Sequence, residues 1–178
     1  LLTAEGKVVG TATAEYPTTD GEGGIAEQDP RDWYIAACRN IRSVLANANI
    51  RGEEVVCVCF DAATHTAVLL DEEFRILRRA IYWTDTRSRA QSERLQEEFG
   101  EDIFRRFKHR PDTIWTLSQL LWVKECEPDI WAKTKRILFA KDYVRHCFTG
   151  DFITDRIEAQ GSMLYDYEEE GWSAPYLA

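Results

Sequence analysis

Residues 59–71 read CFDAATHTAVLLD, two apolar runs interrupted by Asp61, Thr64, His65 and Thr66. A hairpin needs only a tight turn between its strands, usually built from Gly, Asn or Pro. This interruption has none of these and carries a carboxylate, an imidazole and two hydroxyls instead. The run that leads into it, VVCVCF (55–60), is wholly apolar and reads as a strand buried on both faces. Thr66 to Leu70 reads as a further strand, with Asp71-Glu72-Glu73 as the turn after it. The break is therefore either an ordinary polar loop or the wall of a cleft.

Working outward, Lys7 to Tyr16 is rich in Val and Thr and predicts a strand after a Glu5-Gly6 turn. TTDGEGGIAEQ (18–28) predicts a Gly-rich polar loop. Asp29-Pro30 opens a helix, with Asp as N-cap and Pro at the first helical position, running to about Asn47. AIYW (80–83) is a third short apolar run, and Arg87 to Phe99 is charged and helix-favouring. A mostly apolar helix is predicted over Thr116 to Glu125, stopped by Pro128, which also starts a short helix. RILF (136–139) reads as a strand, and Lys141 to Phe148 as a helix ended by Thr149-Gly150. Alternating strands and helices without heptads or repeats give the α/β class.

The chain has 178 residues, 44% hydrophobic and 30% charged, which is the balance of a globular protein. Its 22 Lys and Arg face 31 Asp and Glu, for a net charge of −9. That charge argues against nucleic acid and anionic membranes as partners. Five cysteines, an odd number set mostly in apolar patterns, predict reduced, buried thiols and a cytoplasmic home. There is no Walker loop, no GxSxG elbow and no HExxH pair, and Cys57, Cys59 and His65 lack a fourth partner for zinc. Trp33, Trp115, Trp122 and Trp131 read as core, and the acidic DYEEEGW (166–172) as a solvated loop.

Five segments in order then carry a family likeness. EQDPRDWYIAAC (27–38), AIYWTDTRS (80–88), TLSQLLWVKECEPDIW (116–131), FAKDYVRHCFTGDFITD (139–155) and EAQGSMLYDYEEEGWS (158–173) resemble successive motifs of the FGGY family of carbohydrate kinases. The resemblance implies a ribonuclease-H-like, actin-like α/β domain, a mixed sheet flanked by helices with helical insertions. It implies transfer of the γ-phosphate of ATP, with Mg2+, to a hydroxyl of a sugar, and a homodimer as one assembly. A ketopentose such as xylulose is favoured. The FDA before Thr64-His65 is similar to ribulose kinases, and a non-catalytic actin-like binding module is the alternative from another class.

Residues 1–178 would then be a single, incomplete N-terminal sugar-binding domain. The phosphate loop would lie before residue 1, and the general-base Asp beyond residue 178. Gln119 stands where the family usually has Lys, and Ile114 where it usually has an aromatic, Met, Gly or Ser. Within this frame the polar break faces the sugar. His65 matches the second residue of a Met-His pair and Thr64 departs from the first. An imidazole that donates through one nitrogen and accepts through the other suits a hydroxyl that does both. Trp83 would stack on the apolar side of the sugar, and Asp85 would accept two hydroxyl hydrogens. Arg87 would pair with Asp85 and hold it. Asp61 could cap a turn or reach the cleft.

Overall fold

The computed structural model describes residues 1–177. An antiparallel bridge joins Leu2 and Val8 around Gly6, which takes φ +82°. The rest of the expected Lys7–Tyr16 strand forms no ladder. The expected loop at 18–28 is instead a hairpin, β1 (Thr19–Gly21) and β2 (Ile25–Gln28). Gly23 and Gly24 turn it with φ of 77° and 79°, a region that suits residues without Cβ. Helix α1 (Pro30–Ala48) begins where Asp29 predicts, the carboxylate accepting from the Arg31 N–H.

Strand β3 (Ala67–Leu70) follows the polar break, and β4 (Ala80–Ile81) pairs antiparallel with β2. Helix α2 (Arg89–Phe107) runs two turns past the expected end, because Ile103 and Phe107 extend its buried side. Helix α3 (Thr116–Cys126), α4 (Pro128–Lys133), β5 (Arg136–Phe139) and α5 (Ala140–Thr149) fall where the sequence places them. Gly150 closes α5 at φ 76°. The chain continues with α6 (Arg156–Gly161), a hairpin of β6 (Tyr165–Asp166) and β7 (Gly171–Trp172), and α7 (Ala174–Leu177).

All four strand pairs among the described residues are antiparallel, rather than a mixed sheet. The central pair is β3 with β5, in register Val68–Leu138 and Leu69–Ile137. Because side chains alternate across a strand, β3 serves two apolar clusters. Leu69 enters one with Ile103, Phe107, Leu120 and Val123. Val68 and Leu70 enter the other with Trp33, Leu138 and Val144. Together these clusters hold the helices on either side of β3 and β5.

Two expectations fail here. VVCVCF (55–60) forms no strand: among the described residues nothing pairs with it, and Val56 is 97% exposed. An extended run keeps its buried form only when a neighbour supplies a ladder for its N–H and C=O groups. The thiols accordingly are not buried: Cys57, Cys59 and Cys126 are exposed, and Cys38 and Cys147 half-buried, all five free. The acidic 166–172 segment is the β6–β7 hairpin: its turn, residues 167–170, is exposed as expected, while Asp166 is buried against Arg106 at 2.7 Å. Trp33 is buried as expected, while Trp115, Trp122 and Trp131 are half-buried.

Candidate functional site

The polar break leaves the β3 end as a short loop. The Asp61 carboxylate accepts the N–H of the next residue, Ala62, at 2.9 Å, and Asp61 is exposed. Thr64 is exposed, and His65 sits in the left-handed region at φ 63°, which is uncommon for a non-glycine residue. Its backbone is gripped from both sides. The His65 N–H donates to Glu158 Oε2 on α6 at 3.1 Å, and the Thr116 hydroxyl at the start of α3 donates to the His65 carbonyl at 3.0 Å.

The imidazole tilts against Trp115 at 4.7 Å between centroids, and Trp115 stacks in turn on His109 at 4.3 Å. Removal from water, and then the neighbouring His109, pushes the His65 pKa below its ordinary value, which favours a neutral ring. His65 Nδ1 is buried without a partner among the described residues. Gly161 lies against the ring: a Cβ there would come within 1.9 Å of His65 Cε1. Burial raises the pKa of Glu158, which is only 2% exposed.

The second segment, residues 80–88, is fastened to the β1–β2 hairpin. Tyr82 N–H donates to the Ala26 carbonyl, and Ala26 N–H donates to Asp85 Oδ2 at 2.6 Å. Asp85 Oδ1 accepts the Arg87 N–H at 2.8 Å, and the Arg87 guanidinium clasps the same carboxylate at 2.7–3.0 Å. Arg87 also reaches Glu27 at 2.8 Å and lies 4.9 Å over the Trp122 ring. The expected Asp85–Arg87 pair thus forms. Asp85 itself is 1% exposed, with both oxygens occupied by protein donors. That geometry makes it an organiser of this turn, rather than a carboxylate presented to a sugar. Trp83 is 46% exposed and packs on Tyr82 at 6.0 Å.

A hollow of about 310 Å³ lies between the break, α1 and α5, walled by Asp61, Ala63, Thr66, Tyr82 and Lys141. Its walls come from the two segments that carry His65 and Trp83, but neither of those rings lines it. A larger apolar hollow of about 610 Å³ runs along β5, with Thr116 and Leu164 in its wall. Trp115, Thr116, Glu158 and Gly161 escaped sequence reasoning as partners of His65. Glu158 lies 93 residues from His65, and no local pattern marks that contact.

Among the described residues no group of three or more His, Cys, Asp or Glu is placed to hold a metal ion. The glycine turn at 21–24 is closed by its own chain, since a Cβ on Gly24 would meet Thr86 Oγ1 at 1.9 Å.

The model of the FGGY carbohydrate kinase N-terminal domain matches residues 1–178. This chain belongs to the FGGY family of carbohydrate kinases. It is 34% identical over 173 residues to the xylulose kinase of Bacillus subtilis, covering 97% of this chain and 35% of that protein. Among solved structures it resembles a xylulose kinase from Brucella ovis, at 30% identity and a TM-score of 0.86, covering 92% of this chain and 34% of that one. It also superposes on a ligand-bound xylulose kinase from Lactobacillus acidophilus with a TM-score of 0.91, covering 99% of this chain and 36% of that one. At 21% identity the latter likeness speaks for the fold alone. The α/β, actin-like class is that of these kinases. The chain spans about a third of the length of the curated relatives it matches. No helix among the described residues is long and apolar enough to cross a membrane.

Proposed function

We propose that this chain is the sugar-binding part of an ATP-dependent kinase acting on a ketopentose, of the xylulose kinase type. The observation that carries the reading is the family match along the whole chain, joined to a half-buried histidine held at positive φ at a strand end. Residues 1–178 act as one N-terminal domain, in keeping with two apolar clusters that share β3. The same proposal includes a cytoplasmic location, in keeping with five free thiols, and assembly as a homodimer, as the family likeness implies.

In this reading the Thr64 hydroxyl and the His65 imidazole bind the sugar hydroxyls, and the exposed face of Trp83 stacks on the sugar's C–H side. A neutral imidazole can donate and accept at once, which a protonated ring cannot. Asp85 and Arg87 fix the turn that presents Trp83. ATP with Mg2+ supplies the transferred phosphoryl group when bound. The residues described here orient the acceptor, and orientation is a large part of phosphoryl-transfer catalysis.

The test is His65→Ala in the full-length gene product. Loss of one hydrogen bond to a neutral hydroxyl is worth about 0.5–1.5 kcal/mol, a several-fold rise in the sugar KM with a smaller change in kcat. An unchanged sugar KM across xylulose and ribulose sinks the assignment.

A further inference from the structure

We infer that Glu158, Thr116 and Gly161 form a clamp that sets the position of His65, with Glu158 as its principal positioning residue. The inference rests on the reading of His65 as a sugar contact, and it names what holds that contact in place.

Three independent observations converge. The first is backbone geometry. His65 adopts φ 63°, a conformation uncommon for residues with a side chain, though histidine is among those that enter it more readily. The second is that both backbone polar groups of this one residue are bound by side chains from distant elements. Glu158 accepts its N–H at 3.1 Å, and Thr116 donates to its carbonyl at 3.0 Å. Loop residues are ordinarily bound by near neighbours, whereas these contacts span 93 and 51 residues. The third is space. The end of α6 lies so close to the imidazole that any side chain at 161 would occupy the ring's place.

The clamp has a chemical logic. Glu158 is almost fully buried, at 2% exposure, so its carboxylate is costly unless it is used. The charges of Lys141, Asp142 and Asp155 bear on it, and Lys141 is itself engaged by Asp142 and Asp155 at 2.7 and 2.6 Å. The Glu158 carboxylate is used in this way: it accepts the His65 N–H. Removing it strands a buried donor and releases the loop from its left-handed form. The ring then turns away from Trp115, and a sugar hydroxyl loses its partner without any change in the residues that touch it. Glu158 therefore acts through His65.

The test is a double-mutant cycle in the full-length kinase, with sugar KM, ATP KM and kcat measured with xylulose. Glu158→Ala should raise the sugar KM roughly fivefold, the scale of one lost hydrogen bond, with ATP KM unchanged. In a His65→Ala background the same change should add less than twofold, since the clamp then has nothing to hold. Glu158→Gln keeps an acceptor and should stay near the parent. Gly161→Ala favours the helix it ends, so the protein should fold, yet it displaces the ring and should also raise the sugar KM. Amide hydrogen exchange across residues 62–68 should quicken in Glu158→Ala and not in Glu158→Gln. A rise in sugar KM from Glu158→Ala that is equally large with and without His65, or unaltered exchange across 62–68, would overturn the clamp. If His65→Ala alone leaves the sugar KM unchanged while exchange behaves as stated, the sugar reading fails and the clamp stands as a structural device.

Discussion

VVCVCF (55–60) and AVLL (67–70) lie seven residues apart and look alike in sequence, yet one is exposed along most of its length and the other buried at every position. Val56 is 97% exposed, and Val68 is 0%. The difference is not hydrophobicity. β3 has β5 beside it to satisfy its backbone, with an apolar cluster on each face, while among the described residues 55–60 has no ladder, and its end, Phe60, packs against one cluster and stacks on Phe148 at 5.3 Å. Burial belongs to the pair, not to the run. AIYW (80–83) falls between the two. Ala80 and Ile81 are buried on β2, and Trp83 stands out in solvent past the point where the pairing stops.

The largest effect expected is on that intermediate run. Asp85→Ala removes the carboxylate that ties Ala26 to Arg87 and leaves a buried guanidinium short of a partner. It should cost about 3–5 kcal/mol, read as a lower urea midpoint. A loss below 1 kcal/mol would mean that the turn holds without its ion pair. Next comes the direct contrast. Leu70→Ala should cost about 2–5 kcal/mol, whereas Val56→Ala in the 178-residue chain should stay within about 0.5 kcal/mol. Similar losses would show that 55–60 finds a ladder in solution. A longer polypeptide that supplies a partner strand should raise the cost at Val56 and leave that at Leu70 where it is. The smallest effect is chemical. Exposed Cys57, Cys59 and Cys126 should react quickly with a maleimide, and half-buried Cys38 and Cys147 slowly. Burial raises the pKa of Cys147, which slows it further. Cys57→Ser with Cys59→Ser should remove most of the fast fraction.

Local signals in the sequence were reliable where the cause was local. Asp29 and Pro30 start α1, Gly150 ends α5, and Pro128 separates α3 from α4, because capping and ring geometry act within a few residues. The β1–β2 hairpin was hidden: Gly23 and Gly24 read as flexibility, when their positive φ makes a turn. The run at 55–60 misled for the opposite reason, since periodicity reports apolarity and says nothing of a partner. The site divides in the same way. The Asp85–Arg87 pair was legible from a spacing of two, although its burial was not. Glu158, Thr116 and Gly161 were invisible around His65, because only the folded chain brings α6 and α3 against that loop.

One consequence of β3 reaches beyond stability. Leu69 points into one cluster, and Val68 and Leu70 point into the other. Losing or gaining a single codon within 67–70 would turn every following side chain to the wrong face and empty both clusters together. Point substitutions can drift at this strand, but changes in its length cannot. Among kinases that share this arrangement, insertions and deletions should therefore gather outside it.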